Sequence, residues 1–145
     1  MSAATATLNG PVASQRSGLR IALWIVQGLL AVAFGAAGAL KLTTPYDQLA
    51  QNMSWVGHVP AGLVRFIGLS ELAGALGLVL PGLTGIKPGL TSLAALGLST
   101  VMVLGAGFHV YLGEASLVGP SVVLGILAAF VTWGRYFRAP IAARA

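Results

Sequence analysis

The sequence predicts an all-α fold: an integral membrane four-helix bundle with a short extramembrane or re-entrant helix between helices 1 and 2. The first observation is composition, because 57% of the 145 residues are hydrophobic and 8% are charged, whereas about 25% of a soluble domain is charged. The second is a set of four apolar runs of about 20 residues, the length that crosses a bilayer. The third is a polar stretch between the first two runs.

The chain divides into one predicted membrane domain and two predicted tails. Residues 1–18 are mostly small and polar, without an apolar period, and predict a disordered cytoplasmic tail. Residues 19–137 form a single transmembrane domain, and residues 138–145 form a second cytoplasmic tail. The first helix, Ile21–Leu40, follows basic residues as a signal peptide does, but a signal core runs only about 7–15 residues. We therefore interpret this run as an uncleaved transmembrane helix.

The polar stretch Leu42–Ala61 predicts a short helix at the membrane surface. Pro45 follows two threonines and is a helix-start signal. Four residues then share one face at helical spacing, namely Tyr46, Leu49, Ala50 and Met53. The alternative interpretation of this stretch is a plain surface loop.

Three further spanning helices follow. The second covers Gly62–Leu80, Pro81–Pro88 forms a turn rich in proline and glycine, and the third and fourth helices cover Gly89–Tyr111 and Leu117–Tyr136. Rows of small residues let helices approach closely in lipid. Such rows are Ala31, Gly35 and Gly38 in the first helix, Ala94, Gly97, Val101 and Gly105 in the third, and Ser121, Gly125, Ala128 and Thr132 in the fourth.

The distribution of charge predicts the topology. Lysine and arginine concentrate in cytoplasmic loops of membrane proteins. With both termini in the cytoplasm, six basic residues lie inside, namely Arg16, Arg20, Lys87, Arg135, Arg138 and Arg144, while Lys41, Asp47 and Glu114 lie outside. The net charge of +5 therefore reflects topology and not a nucleic-acid partner. We expect a multi-pass protein of the plasma membrane, in contact with membrane lipid.

Glu71 is the most informative single residue, because it lies near the middle of the second spanning helix. A charge at that depth costs about 2.5–3.5 kcal/mol, so such residues usually face the bundle interior and have a partner. Arg65 precedes it by six residues, which places the two side chains about 120° apart on the helix. The partner is therefore expected on another helix, and the candidates are Lys41 and His109.

These polar residues support two functional hypotheses. In the first, the bundle binds a hydrophobic small molecule, quinone- or lipid-like, or docks a redox partner. In the second, it is a membrane-embedded acid–base enzyme, an isomerase, cyclase or epoxide-opening enzyme acting on an apolar substrate. The candidate residues are Glu71 and His109 for proton transfer, and Lys41, Arg65, Asn52 and Trp55 for substrate contact. Proton-coupled transport uses the same residues but requires an oligomer.

Simpler interpretations of the same residues stay open. A buried ion pair that only fixes helix register is one, and Lys41 and Arg65 are also placed as anchors that extend toward the interface. The chain has no cysteine, two histidines and three acidic residues. We therefore expect no metal site, no thiol chemistry and no bound cofactor.

Two segments carry a family resemblance. The first is FGAAGALKL, which contains Lys41, and the second is RFIGLSELAGALGLVLP, which contains Arg65 and Glu71; a third helix ending near His109 follows. Over about residues 20–136 the chain resembles the DoxX-like family of small four-helix membrane proteins. The resemblance implies this fold and a redox enzyme as a partner. Glycine rows serve contacts within and between chains equally, so a homo-oligomer stays open.

Overall fold

A computed structural model describes residues 11–144, with the side chains of residues 17–144. Within these residues every regular element is helical. The helices are α1 (Pro11–Thr43), α2 (Tyr46–Asn52), α3 (Ala61–Thr84), α4 (Gly89–Tyr111) and α5 (Val118–Trp133). Two 3₁₀ segments, Ser54–His58 and Ala115–Leu117, and a π-helical segment, Gly134–Arg138, complete the chain.

Four of the helical stretches are long and apolar enough to cross a membrane. They are Ser17–Thr43, Ala61–Thr84, Gly89–Tyr111 and Ala115–Arg138. Large hydrophobic side chains are exposed along them, as expected where lipid replaces water; examples are Leu29, Val32, Leu93, Val103 and Ile126. The predicted four-helix membrane bundle is confirmed. Residues 1–10 of the predicted tail lie outside the described residues, and α1 begins at Pro11.

The helix α3 ends later than the sequence predicts. It continues through Pro81 to Thr84 and ends at Gly85, whose φ is 71° and whose N–H donates to the carbonyl of Pro81 at 2.9 Å. A left-handed glycine is a common helix terminator. Pro81 has no backbone N–H and so removes one hydrogen bond from the helix, but α3 continues for one more turn and ends at Gly85. The turn at Pro81–Pro88 is therefore shorter than predicted.

Close packing of glycines joins α1 to α3. A Cβ atom on Gly38 would lie 2.6 Å from the backbone oxygen of Gly68, and one on Gly68 would lie 2.7 Å from the Cβ of Lys41. The predicted small-residue row of the first helix thus lies at a helix contact. The matching glycines of α3, including Gly74 against Leu98, were not predicted. Glycines of α3 therefore allow this helix to pack closely against α1 on one side and against α4 on the other.

The helix α2 lies as a cap on one end of the bundle. Leu49, Val56 and Val64 form a separate buried cluster there, and the hydroxyl of Tyr46 lies 2.8 and 2.7 Å from the carbonyl oxygens of Val56 and Val59. The prediction of a short helix is therefore confirmed, including the face that it buries. We call the end that carries α2 the cap end, and the opposite end, where Leu23 packs on Gly134, the basal end.

Candidate functional site

A cavity of about 640 Å³ lies in the cap half of the bundle. All four spanning helices and the segment after α2 contribute to its walls. Most of the wall is apolar, with Phe34, Met53, Trp55, Met102, Phe108 and Leu124 among its residues. The polar side chains of the wall are Lys41, Ser70, Glu71, His109 and Ser121. The cavity is therefore an apolar chamber with a small number of polar groups.

An ion pair is the most deeply buried polar feature of this wall. Nζ of Lys41 lies 2.8 Å from Oε2 of Glu71, and the two side chains are 8% and 5% exposed. Lys41 comes from the last turn of α1 and Glu71 from the middle of α3, and the glycine contact between Gly38 and Gly68 brings these helices together. Of the two partners that the sequence left open for Glu71, the structure shows Lys41.

Arg65 contacts the end of α1 through the backbone of Lys41 and not through its side chain. Its guanidinium donates to the backbone carbonyl of Lys41, one of the carbonyls at the end of α1 that lack a partner within the helix. Arg65 does not itself belong to the cavity wall. Its position indicates that it holds the end of α1, and with it the backbone of Lys41, against α3.

His109 lies in the cavity wall but has another partner. Its Nδ1 lies 2.8 Å from Oε2 of Glu114, in the turn that follows α4. Glu71 and His109 therefore face one cavity while each belongs to a separate pair. The structure brings these two predicted proton-transfer residues to the same chamber but shows no hydrogen bond between them among the described contacts.

The two remaining predicted contact residues differ in position. Trp55 lies in the cavity wall. Asn52 is exposed, and its side-chain amide donates to the carbonyl of Gln48 at 2.8 Å, one turn earlier in α2. The structure therefore brings Trp55 to the cavity and leaves Asn52 outside it.

Comparison with known proteins identifies the family. A family model described as the DoxX-like family matches residues 25–131. The chain belongs to the DoxX-like family. Searches of curated proteins and of solved structures found no significant match. Together with the four apolar helices, membership shows that this DoxX-like chain is a small multi-pass membrane protein whose helices contact lipid.

Glu114 lies outside the cavity wall but is the partner of His109, whereas the charge pattern predicted it only as an outer charge. Hydrogen bonds from the Ser54 hydroxyl, and then from His109, hold the pKa of the Glu114 carboxyl below its usual range. The carboxylate is thus ionised at neutral pH, and its bond to His109 joins the turn after α4 to the end of that helix. The sequence does contain a signal: Gly113, with a φ of 76°, turns the chain so that Glu114 returns toward His109.

Proposed function

We propose that this DoxX-like protein binds a hydrophobic small molecule, quinone- or lipid-like, in the cavity of the cap half. The observation that carries the proposal is the apolar chamber with the Lys41–Glu71 pair in its wall. Ligand sites in proteins have volumes of about 300–1,000 Å³, mostly apolar walls and a small number of placed polar groups. The chamber, at about 640 Å³, has each of these properties.

The polar wall supports a ligand that is neutral and has one polar end. Lys41 and Glu71 balance each other's charge, so an ionised ligand would add an unpaired charge to a buried site. An ammonium group has three donors, and one of those of Lys41 bonds to Glu71. The other donors of Lys41, with His109, provide hydrogen-bonding groups for a carbonyl or hydroxyl oxygen of the ligand. The hydroxyl of Ser70 donates to the carbonyl of Phe66 at 2.9 Å, so its oxygen serves as an acceptor for a ligand hydroxyl.

The exposed part of the wall supports entry from the lipid. Leu63, Phe66 and Leu104 belong to the wall and are 42%, 65% and 67% exposed. In the basal half, α3 and α4 are held in close contact by Gly74 against Leu98 and by Gly77 against Ala94. The exposed wall residues lie on the same two helices beyond these contacts. A membrane-dissolved molecule would thus enter sideways between α3 and α4.

A matched pair of alanines tests the binding proposal. Ala37 belongs to the cavity wall, whereas its neighbour Ala36 is exposed and does not. Ala37→Leu adds three carbon atoms inside the chamber, and we expect it to lower ligand retention at least about tenfold, while Ala36→Leu retains the wild-type level. The measurement is native mass spectrometry of the purified protein with mass-spectrometric analysis of extracted lipids. No retained molecule in the wild type, or equal retention in the two variants, would contradict the proposal.

A second candidate function is a membrane-embedded acid–base enzyme. The observation that favours it is that Glu71 and His109 face one cavity, where both could reach a single apolar substrate. In the same extracts, a molecule that appears chemically altered in wild type and unaltered in His109→Ala would favour the enzyme over a binding protein. Docking of a redox enzyme and assembly into a homo-oligomer stay predictions.

We also propose that the protein lies in the plasma membrane with both termini in the cytoplasm. Four exposed basic side chains lie at the basal end: Arg20 on α1, Lys87 in the turn between α3 and α4, and Arg138 and Arg144 at and after the end of the last helical segment. The positive-inside rule favours this distribution for a cytoplasmic face. The chain contains no cysteine, so an introduced cysteine is the single thiol that a labelling reagent can modify. A membrane-impermeant thiol reagent added to intact cells should label Asp47→Cys and not Arg138→Cys. The reverse pattern would place the cavity on the cytoplasmic side.

A further inference from the structure

A second buried polar cluster lies at the basal end, outside the cavity. Arg135 is only 4% exposed, a burial that its place among the basic residues of the predicted cytoplasmic side did not indicate. Its Nε donates to Oε1 of Gln27 at 2.5 Å, its Nη1 donates to the carbonyl of Ala139 at 3.3 Å, and its guanidinium lies 5.0 Å from the ring of Trp24. Gln27 is in turn fixed by its bond to the carbonyl of Leu78 at 2.6 Å.

This guanidinium has no carboxylate partner among the described residues. Its hydrogen-bond acceptors are neutral, and Nη2 is buried without a hydrogen-bond partner in that part of the chain. The three acidic residues of the sequence, Asp47, Glu71 and Glu114, lie in α2, in mid-α3 with the cavity, and in the turn after α4. A buried charge that has only neutral partners is costly, because it has lost water without gaining an opposite charge.

The neighbouring charge has the same sign. Arg20 is exposed on α1 and lies one turn before Trp24 on the same face of the helix, and the ring of Trp24 lies 5.0 Å from the guanidinium of Arg135. Two guanidinium groups on this side of the basal end create a positive potential, which the low dielectric constant around Arg135 strengthens. An anion placed at the exposed guanidinium of Arg20 would be attracted by both.

We propose that the basal end binds the phosphate group of an anionic phospholipid, held by Arg20 and attracted by the buried charge of Arg135. The site lies at the end of two apolar spans, where lipid headgroups meet a membrane protein, and basic pockets at such positions suit anionic headgroups. Exposed apolar side chains of the same turns, Ile21 and Phe137, provide contacts for acyl chains. This inference is independent of the ligand proposed for the cavity.

Lys87 provides the matched control for this site. It is exposed in the turn between α3 and α4, toward the same end of the bundle, but it does not lie on α1, whose Trp24 and Gln27 contact Arg135. Arg20→Gln and Lys87→Gln remove the same charge from the same face. A specific headgroup site distinguishes the two variants, whereas a diffuse positive surface does not.

The experiment is native mass spectrometry of the purified full chain with added phosphatidylglycerol or phosphatidylcholine of identical acyl chains. We expect the wild type to retain phosphatidylglycerol about fivefold better, the effect of one basic residue at an anionic surface. Arg20→Gln should abolish this preference, while Arg20→Lys and Lys87→Gln retain it. Because Arg20 is exposed, its substitution is expected to leave thermal stability unchanged.

Three outcomes would overturn the proposal. Equal retention of the two lipids by the wild type would show that headgroup charge is not recognised. Equal loss in Arg20→Gln and Lys87→Gln would assign the preference to the whole basic face. Displacement of phosphatidylglycerol by inorganic phosphate alone would assign the site to a free anion.

Discussion

Replacing either partner of the Lys41–Glu71 pair is expected to destabilise the protein by about 3–5 kcal/mol, the cost of leaving one buried charge without its partner. Glu71→Gln and Lys41→Met are the two single variants. Both side chains are almost fully buried and their charged atoms are 2.8 Å apart, so water cannot easily replace the lost partner. The measurement is the free energy of unfolding, or the shift in melting temperature, of the purified protein in one detergent.

The double variant Lys41→Met with Glu71→Met separates the charge from the packing. Replacing both members of a buried pair by apolar side chains of similar volume is often neutral or stabilising, so we expect it to regain most of the lost stability. If the pair binds the polar end of the ligand, the double variant should lose ligand retention even though its stability is regained. A double variant as unstable as the single ones would show that packing, and not charge balance, sets the effect.

The sequence predicted the helices and the depth of the polar residues well, because both depend on position along the chain. Runs of apolar residues define spans by length alone, and the predicted bounds of the third helix, Gly89–Tyr111, match those of α4. Lys41 and His109 were likewise named as the candidate partners of Glu71, and all three residues lie in the cavity wall. Depth follows from rise per residue, which is constant in a helix.

The rotation of each helix about its axis, which decides the side chains that meet between helices, was not predictable from position along the chain. Lys41 and His109 lie at similar depths, so spacing could not decide which of them meets Glu71. The decision comes from the close approach of Gly38 to Gly68, a contact between helices distant in sequence. The burial of Arg135 was not predictable for the same kind of reason, since the local pattern did not show that its side chain turns inward to Gln27.

The second large effect is expected from Gly38→Ala, which should destabilise the bundle by about 3 kcal/mol, the upper end of the range for overpacked cores. Its new Cβ would lie 2.6 Å from the backbone oxygen of Gly68 and 2.8 Å from the backbone nitrogen of Leu72. Because both contacts are to backbone, no side-chain rotation relieves them, and α1 and α3 must separate. Thermal unfolding in detergent measures the effect.

Gly28→Ala is the matched control in the same helix. A Cβ at Gly28 meets no atom within 4 Å, and alanine in a helix interior is favoured over glycine by about 0.5–1 kcal/mol, so this variant should be as stable as wild type or slightly more so. Equal destabilisation by the two substitutions would show that α1 tolerates no added side chain anywhere, and that the contact at Gly38 has no special role.

The contact at Gly38 also connects packing to the site. Lys41 lies one turn after Gly38 on α1, and Glu71 lies one turn after Gly68 on α3, so separating the helices at the glycines also moves the two charges apart. The residual folded fraction of Gly38→Ala is therefore expected to lose ligand retention, whereas Gly28→Ala retains it. If Gly38→Ala bound ligand normally while melting early, the charged pair would tolerate helix displacement, and the chamber's apolar wall alone would account for binding.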